Sequence, residues 1–208
     1  MNTAYSNSLL KRSFDFMLAF AGLIISSPLW AFLSILIYCE DKGPVFFVHK
    51  RCGEKEKIIS VLKFRTMRHS IGAYNVLTDV ENDPRVTRVG RILRATAMDE
   101  LPTLINILRG DMSFVGPKAL PFEVGLEERH LYENITMVPG YHVRNQVKPG
   151  LTGIAQIYAS KNVKRKEKFH YDNLYVRKMN FLLDIRLIML SFIVTFKGSW
   201  ESRSEKFN

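Results

Sequence analysis

From position 14 to position 39 almost every residue is apolar, and Asp15 is the one charge. As a helix this run is about 39 Å long at 1.5 Å per residue, enough to cross a bilayer. It exceeds the apolar length of a signal peptide and lacks a small-x-small cleavage site, so it is expected to stay in the mature protein. Ser26-Ser27-Pro28 interrupts it. The proline removes the hydrogen bond to the Ile24 carbonyl and crowds it, which predicts a kink, with the serine hydroxyls at hand for the freed groups. Each arm is then about 18 to 24 Å, too short to cross alone. Basic residues stand on both sides, Lys11-Arg12 before and Lys42, Lys50, Arg51, Lys55 and Lys57 after. Two topologies fit: a hairpin that enters and leaves one leaflet, and a kinked spanning helix. In both the basic body faces the cytoplasm.

The other elements follow from period and punctuation. Positions 44–50 and 58–64, rich in Val, Ile and Phe, flank Cys52-Gly53-Glu54 and predict a β-hairpin. Positions 68–84 lack a clear period and read as a loop over the site, and 86–95 reads as a short helix. That helix carries Arg88, Arg91 and Arg94 at three-residue spacing on one side. From Asp99 to Gly110, Leu101, Leu104, Ile105 and Leu108 recur at helical spacing, with Pro102 in the first turn and Gly110 as the stop. Asp99-Glu100 then lies at the positive end of a helix, where most acidic residues are a cap and a first-turn charge. Positions 164–178 form a basic helical stretch containing Asp172. Positions 181–196 are apolar except for Asp184 and Arg186 and are short for a span. They predict an interfacial amphipathic helix or, failing that, a core helix. The expected fold is α/β, mostly helical with a small β-hairpin, and membrane-associated.

Composition narrows the chemistry. A chain of 208 residues with 47% hydrophobic content suits one core and one site. The net charge of +10, from 30 Lys plus Arg against 20 Asp plus Glu, implies an anionic partner: nucleic acid, an anionic membrane face or a phosphorylated substrate. Cys39 and Cys52 have neither disulfide-framework nor zinc spacing, which fits a reducing, cytosol-facing location. The polar tail 199–208 is set apart from the core. The acidic pair gains weight from its company. It sits between an arginine-bearing segment and the turn-rich Gly110-Asp111-Met112-Ser113-Phe114-Val115-Gly116-Pro117-Lys118, and carboxylates beside phosphate-binding cations suggest metal-assisted phosphoryl transfer.

These residues resemble the monotopic phosphoglycosyl transferases of the bacterial sugar transferase family, in its minimal catalytic form. The likeness runs from about Lys11 to Lys197. It rests on Lys11-Arg12-x-Phe14-Asp15, Ser27-Pro28, Gly43-Pro44-Val45-Phe46-Phe47, Lys63-Phe64-Arg65-Thr66-Met67, Asp83-Pro84-Arg85 and Gly90-Arg91. Asp99-Glu100-Leu101-Pro102, the Gly110 to Pro117 run and Lys148-Pro149-Gly150-Leu151-Thr152-Gly153 complete it. The resemblance implies a re-entrant break at Ser27-Pro28 (positions 1–42), a cytosolic catalytic domain (43–198), and residence in the bacterial inner membrane. It implies transfer of a sugar phosphate from a UDP-sugar to undecaprenyl phosphate with release of UMP, the step that initiates exopolysaccharide, O-antigen or glycoprotein glycan assembly.

Asp99 would be the nucleophile of an aspartyl-phosphosugar intermediate, kept ionised by a helix N-terminus and cations, and Glu100 would hold Mg2+. Lys63, Arg65, Arg94 and Lys118 match phosphate or nucleotide contacts, and Asp172 matches a carboxylate that orders the site or forms a surface ion pair. Membrane lipids and downstream glycosyltransferases are the further implied partners, and nucleic acid is not one. Two departures stand out: Gly116-Pro117-Lys118-Ala119 where the family usually has Gly-Pro-Arg-Pro, and Ile154 where a tryptophan is frequent. Three readings compete. One is a non-catalytic basic module for membrane or nucleic acid. Another is a single displacement with Asp99 as general base. The third, a metal-dependent glycosyltransferase with an Asp-x-Asp motif, is poorly served by Asp79 and Asp83. The donor sugar, whether galactose, glucose or an N-acetylated amino sugar, is left open.

Overall fold

The computed structural model describes residues 3–68, 83–121, 135–160 and 163–196. Positions 69–82 of the expected loop at 68–84, with Asp79, and the polar tail lie outside them. A short helix α1 (Thr3–Ser6) leads into α2 (Leu9–Asp41), 33 residues long, whose first turn is capped by the Ser8 hydroxyl accepting from the Lys11 amide. With a mean hydropathy of 2.1 over its most apolar window, α2 is long and apolar enough to cross a membrane. It runs through Pro28 without leaving helix. The Ile24 carbonyl, which lacks the amide hydrogen that proline cannot supply, accepts from the Ser27 hydroxyl at 2.8 Å. Ser26 donates to the Gly22 carbonyl at 2.6 Å and accepts from the Trp30 indole at 3.1 Å. Ser27 thus supplies what the proline removes.

One face of α2 enters all three hydrophobic clusters. Phe14 and Leu18 pack on Val115, Tyr175 and Leu187; Ala19 and Leu23 on Leu104 and Ile107; Leu33 and Ile37 on Phe64 and Leu93. Each fully buried side chain of this size contributes about 1.5–3 kcal/mol. The opposite face stays bare, with Met17, Phe20, Ile24, Ile25, Phe32 and Ile35 exposed.

Lys11 and Arg12, the basic flank before the apolar run, are taken up by the body. Lys11 is buried and its ammonium lies 2.6 Å from Asp184, while Arg12 donates to the Ile107 and Leu108 carbonyls at 2.7 and 2.6 Å. Asp15, also buried, accepts from the Phe114 amide at 3.1 Å. Sequence shows charge beside an apolar run but not what waits in the body to pair with it.

Strands β1 (Phe46–Cys52) and β2 (Ile58–Phe64) form the expected antiparallel hairpin, with Phe46 opposite Phe64 and Cys52 opposite Ile58. The tight 3-10 segment Glu54–Glu56 closes it. After α3 (Arg88–Ala95) and α4 (Thr103–Arg109) comes β3 (Ser113–Val115), then β4 (Leu120–Pro121), which pairs with β1 to extend the sheet to β2-β1-β4. β3 instead pairs in parallel with β5 (Gly150–Thr152), an element the sequence reading did not foresee. This pairing needs glycine on both sides: a Cβ on Gly150 would stand 2.0 Å from the Gly116 amide nitrogen.

The short helices α5 (Tyr141–Arg144) and α6 (Ile154–Tyr158) flank β5, followed by α7 (Arg165–Lys178) and α8 (Phe181–Phe196). Ile154, at the position where tryptophan is frequent, packs in the cluster with Val115 and Val147. α8 combines the two expected characters. Asp184, Leu187 and Ile188 face the core, whereas Leu182, Met189, Phe192 and Ile193 are exposed. Phe14 of α2 meets Phe181 edge-on at 5.1 Å.

Candidate active site

Asp99 and Glu100 lie on the 3-10 turn Met98–Glu100, entered through Ala97 in a left-handed conformation (φ 55°). α4 begins only at Thr103, so neither acid caps it. The sequence placed the pair at the start of the helix; the turn holds it one step earlier. Position comes from the sheet edge. Thr103 donates to the Leu62 carbonyl at 3.0 Å, and Asn106 accepts from the Leu62 amide at 3.0 Å while donating to the Ser60 carbonyl at 2.7 Å. α4 is thereby sewn along β2, and the acidic turn arrives opposite Lys63.

The Lys63 ammonium sits 2.5 Å from Glu100 and 3.9 Å from Asp99, all three side chains being mostly buried. Burial pushes Asp99 up to about 6; Lys63 opposes that rise, the neighbouring Glu100 charge adds to it, and Arg94 and Lys118 oppose it more weakly. At Asp99 burial outweighs the cations, and a pKa of about 6 still leaves the group mostly ionised at pH 7. At Glu100 burial also disfavours the charge, yet Lys63 and then Lys118 hold the carboxyl below its ordinary range. Two adjacent carboxylates are thus set apart by their surroundings, Glu100 held below its ordinary range and Asp99 raised to about 6.

Lys63 and Glu100 line an open cleft whose other polar lining residues are Arg51, Thr103 and Lys118, and Asp99 adjoins it through Lys63. The sequence profile of the bacterial sugar transferases matches residues 6–198. The chain belongs to the bacterial sugar transferase family. It is 39% identical to the exopolysaccharide production protein PSS of Rhizobium leguminosarum bv. phaseoli, over 86% of this chain and 91% of that one. It is 38% identical to the UDP-glucose:undecaprenyl-phosphate glucose-1-phosphate transferase of Escherichia coli K12, over 92% of this chain but 40% of the relative. It is 32% identical to the undecaprenyl-phosphate galactose phosphotransferase of Salmonella typhimurium, over 88% of this chain and 40% of that one.

In this sugar transferase the expected site residues divide. Lys63 and Lys118 line the cleft with Glu100. Arg94 reaches the site electrostatically from α3, its Nε donating to the Thr66 hydroxyl at 2.9 Å. Arg65 does not join them: it is buried, with its guanidinium 3.1 Å from Asp41 at the end of α2. β2 ends at Phe64, so the alternation that points Lys63 into the cleft stops before Arg65, whose amide donates to the Val45 carbonyl. Asp172 is a buried partner of Arg144 at 2.9 Å, not a surface pair. Asp83 binds Arg85.

Arg51 was missed as a cleft residue, although strand alternation points to it. Phe47 is opposite Lys63, and Arg51 lies on the same face four residues on. Asp99 and Glu100 fit a magnesium ion, which takes one or two carboxylates together with substrate phosphate oxygens and water. Among the described residues no cluster of three or more His, Cys, Asp or Glu side chains offers a closed protein cage.

Proposed function

We propose that this transferase moves a sugar phosphate from a UDP-sugar to undecaprenyl phosphate through a covalent intermediate on Asp99. The observation that carries the reading is the unequal pair: Lys63, which lines a cationic cleft, ties Glu100 at 2.5 Å, and Asp99 stands off at 3.9 Å from the same ammonium. A carboxylate oxygen of Asp99 attacks the sugar-bearing phosphorus. The bond from that phosphorus to the UMP oxygen breaks, and UMP leaves with the electron pair. An oxygen of undecaprenyl phosphate then attacks the same phosphorus, the acyl phosphate bond breaks, and Asp99 returns to a carboxylate. Lys63, Lys118, Arg51 and Arg94 offset the diphosphate charge and position it. Glu100, with Asp99 alongside, would hold Mg2+, which when bound neutralises charge on the diphosphate and on the departing UMP.

The raised pKa of Asp99, about 6, favours a second reading, a general base in a direct transfer. The two separate in one experiment. Incubated with Mg2+ and a UDP-sugar but no lipid, the covalent enzyme gains the mass of one sugar phosphate and releases one UMP, and Asp99→Asn does neither. Release that requires lipid, with no adduct, supports the general base. A panel of UDP-glucose, UDP-galactose and their N-acetylated counterparts names the donor.

The membrane reading follows from where α2 is tied. Its N-terminal end binds Asp184, the α4 carbonyls and the Phe114 amide. At its C-terminal end Glu40 accepts from the Arg88 and Val89 amides at 2.7 and 2.9 Å, and Asp41 pairs with Arg65. Both ends grip one body, which supports an apolar segment that enters and leaves the cytoplasmic leaflet with its break at Ser27-Pro28, and catalysis on the cytoplasmic side.

A further inference from the structure

Lys118 departs from the arginine usual at its place, and the backbone that carries it is held in an unusual way. Each carbonyl from Pro117 to Ala119 is taken by a donor from a different element. The Gly150 amide donates to Pro117 at 2.9 Å, the Arg144 guanidinium to Lys118 at 2.5 Å, and the Arg51 guanidinium to Ala119 at 3.0 Å. Arg144 is 2% exposed and spends its other donors on Asp172, at 2.9 Å, and on the Asn145 side chain, at 3.1 Å. Phe169, one turn before Asp172 on α7, lies under the guanidinium at 4.8 Å. A planar fork with fixed donor directions reaches three acceptors on three segments at once, which a lysine ammonium on a flexible stem does not. Burying such a group and its carboxylate is costly, and packing alone would be served as well by apolar side chains.

We propose that Arg144, locked by Asp172, is a positioning residue that fixes the Lys118 main chain so that the Lys118 ammonium meets the diphosphate of the donor. This rests on the reading of Lys118 as a phosphate contact. Asp172 acts at one remove: it orients Arg144, Arg144 orients Lys118, and only Lys118 touches substrate.

The test is a double-mutant cycle on Arg144→Lys and Lys118→Ala, with Asp172→Asn as a second route to the same clamp. Two quantities are read for each protein: the Kd for UDP with Mg2+ by calorimetry, and kcat and KM for UMP release. Arg144→Lys is expected to weaken UDP binding and raise KM about tenfold in the parent, and to change neither by more than about twofold when Lys118 is already alanine. Asp172→Asn follows the same pattern. Equal losses in both backgrounds overturn the proposal, because Arg144 would then act on general structure. No loss from Lys118→Ala overturns it too, since nothing would be left to position. If Arg144→Lys does not fold, Asp172→Asn, which keeps its shape, carries the cycle. UDP binding without UMP release from the parent would sink the transfer reading while leaving this cycle readable.

Discussion

Arg85 grips Asp83 with its own backbone amide at 2.9 Å and with its guanidinium, whose Nη2 lies 2.6 Å from the carboxylate. Hydrogen bonds from that side chain, then from the amide, hold the Asp83 carboxyl down at about 2. A depressed carboxyl adds stability that is complete above its unfolded value near 4 and is lost as pH falls toward 2. A carboxyl 13C titration should therefore give Asp83 a midpoint near 2, and Arg85→Ala should raise it part of the way to its ordinary value, because the backbone amide bond remains. A midpoint near 4 in the parent would remove the pair. The motif Asp83-Pro84-Arg85 was plain in sequence, but its partner was not: two residues of separation suffice because the proline fixes φ and turns the chain back. Lys63 and Arg65 teach the converse. They share a motif and a charge, and the end of β2 sends one to the cleft and the other to Asp41.

At the scale of elements, what repeated long enough was legible. The hairpin showed itself by its Val, Ile and Phe runs about one turn, and α2 by its length. The parallel pair of β3 and β5 was hidden because three residues each give no period, and its only trace was glycine at 116 and 150. α8 was ambiguous because both its faces are apolar and a single Asp184 marks the inner one. The tethering of α2 carries a prediction of its own. Cys39, exposed at the far end of α2, and a cysteine introduced by Asn7→Cys at the near end should both react with an impermeant maleimide only after the inner membrane is opened. Labelling of position 7 alone in intact spheroplasts would mean that α2 spans and that its N-terminal contacts are not made in the membrane. Pro28→Ala restores the amide to the Ile24 carbonyl, so both labelling and stability should show whether the break or the tethers decide the path.

Across the whole molecule, a buried polar knot adds to the other ties that join the body and the apolar helix. Asp184 on α8 receives the Lys11 ammonium at 2.6 Å and the Tyr5 and Tyr175 hydroxyls at 2.8 Å each, and Tyr175 also stands 3.0 Å from the Val115 carbonyl next to the parallel pair. Removing Asp184 alone strands an ammonium in the core, which costs roughly 3–5 kcal/mol, or about 10 °C of melting temperature at this chain length. Removing Lys11 as well takes away the stranded charge but leaves the Tyr5 hydroxyl without its Asp184 acceptor, at a cost of about 1–3 kcal/mol, while Tyr175 keeps the Val115 carbonyl. Thermal melts in detergent should therefore place Asp184→Ala lowest and the double variant Lys11→Met/Asp184→Ala above it yet below the parent. If the double variant instead falls below Asp184→Ala by the full cost of Lys11→Met, the ammonium is not paired in the core, and α2 is held by its apolar face alone. The recovery also bears on catalysis. The knot fixes Val115, one residue before the Gly116 to Ala119 segment that carries Lys118, so a loosened knot should raise KM for the donor before it lowers kcat.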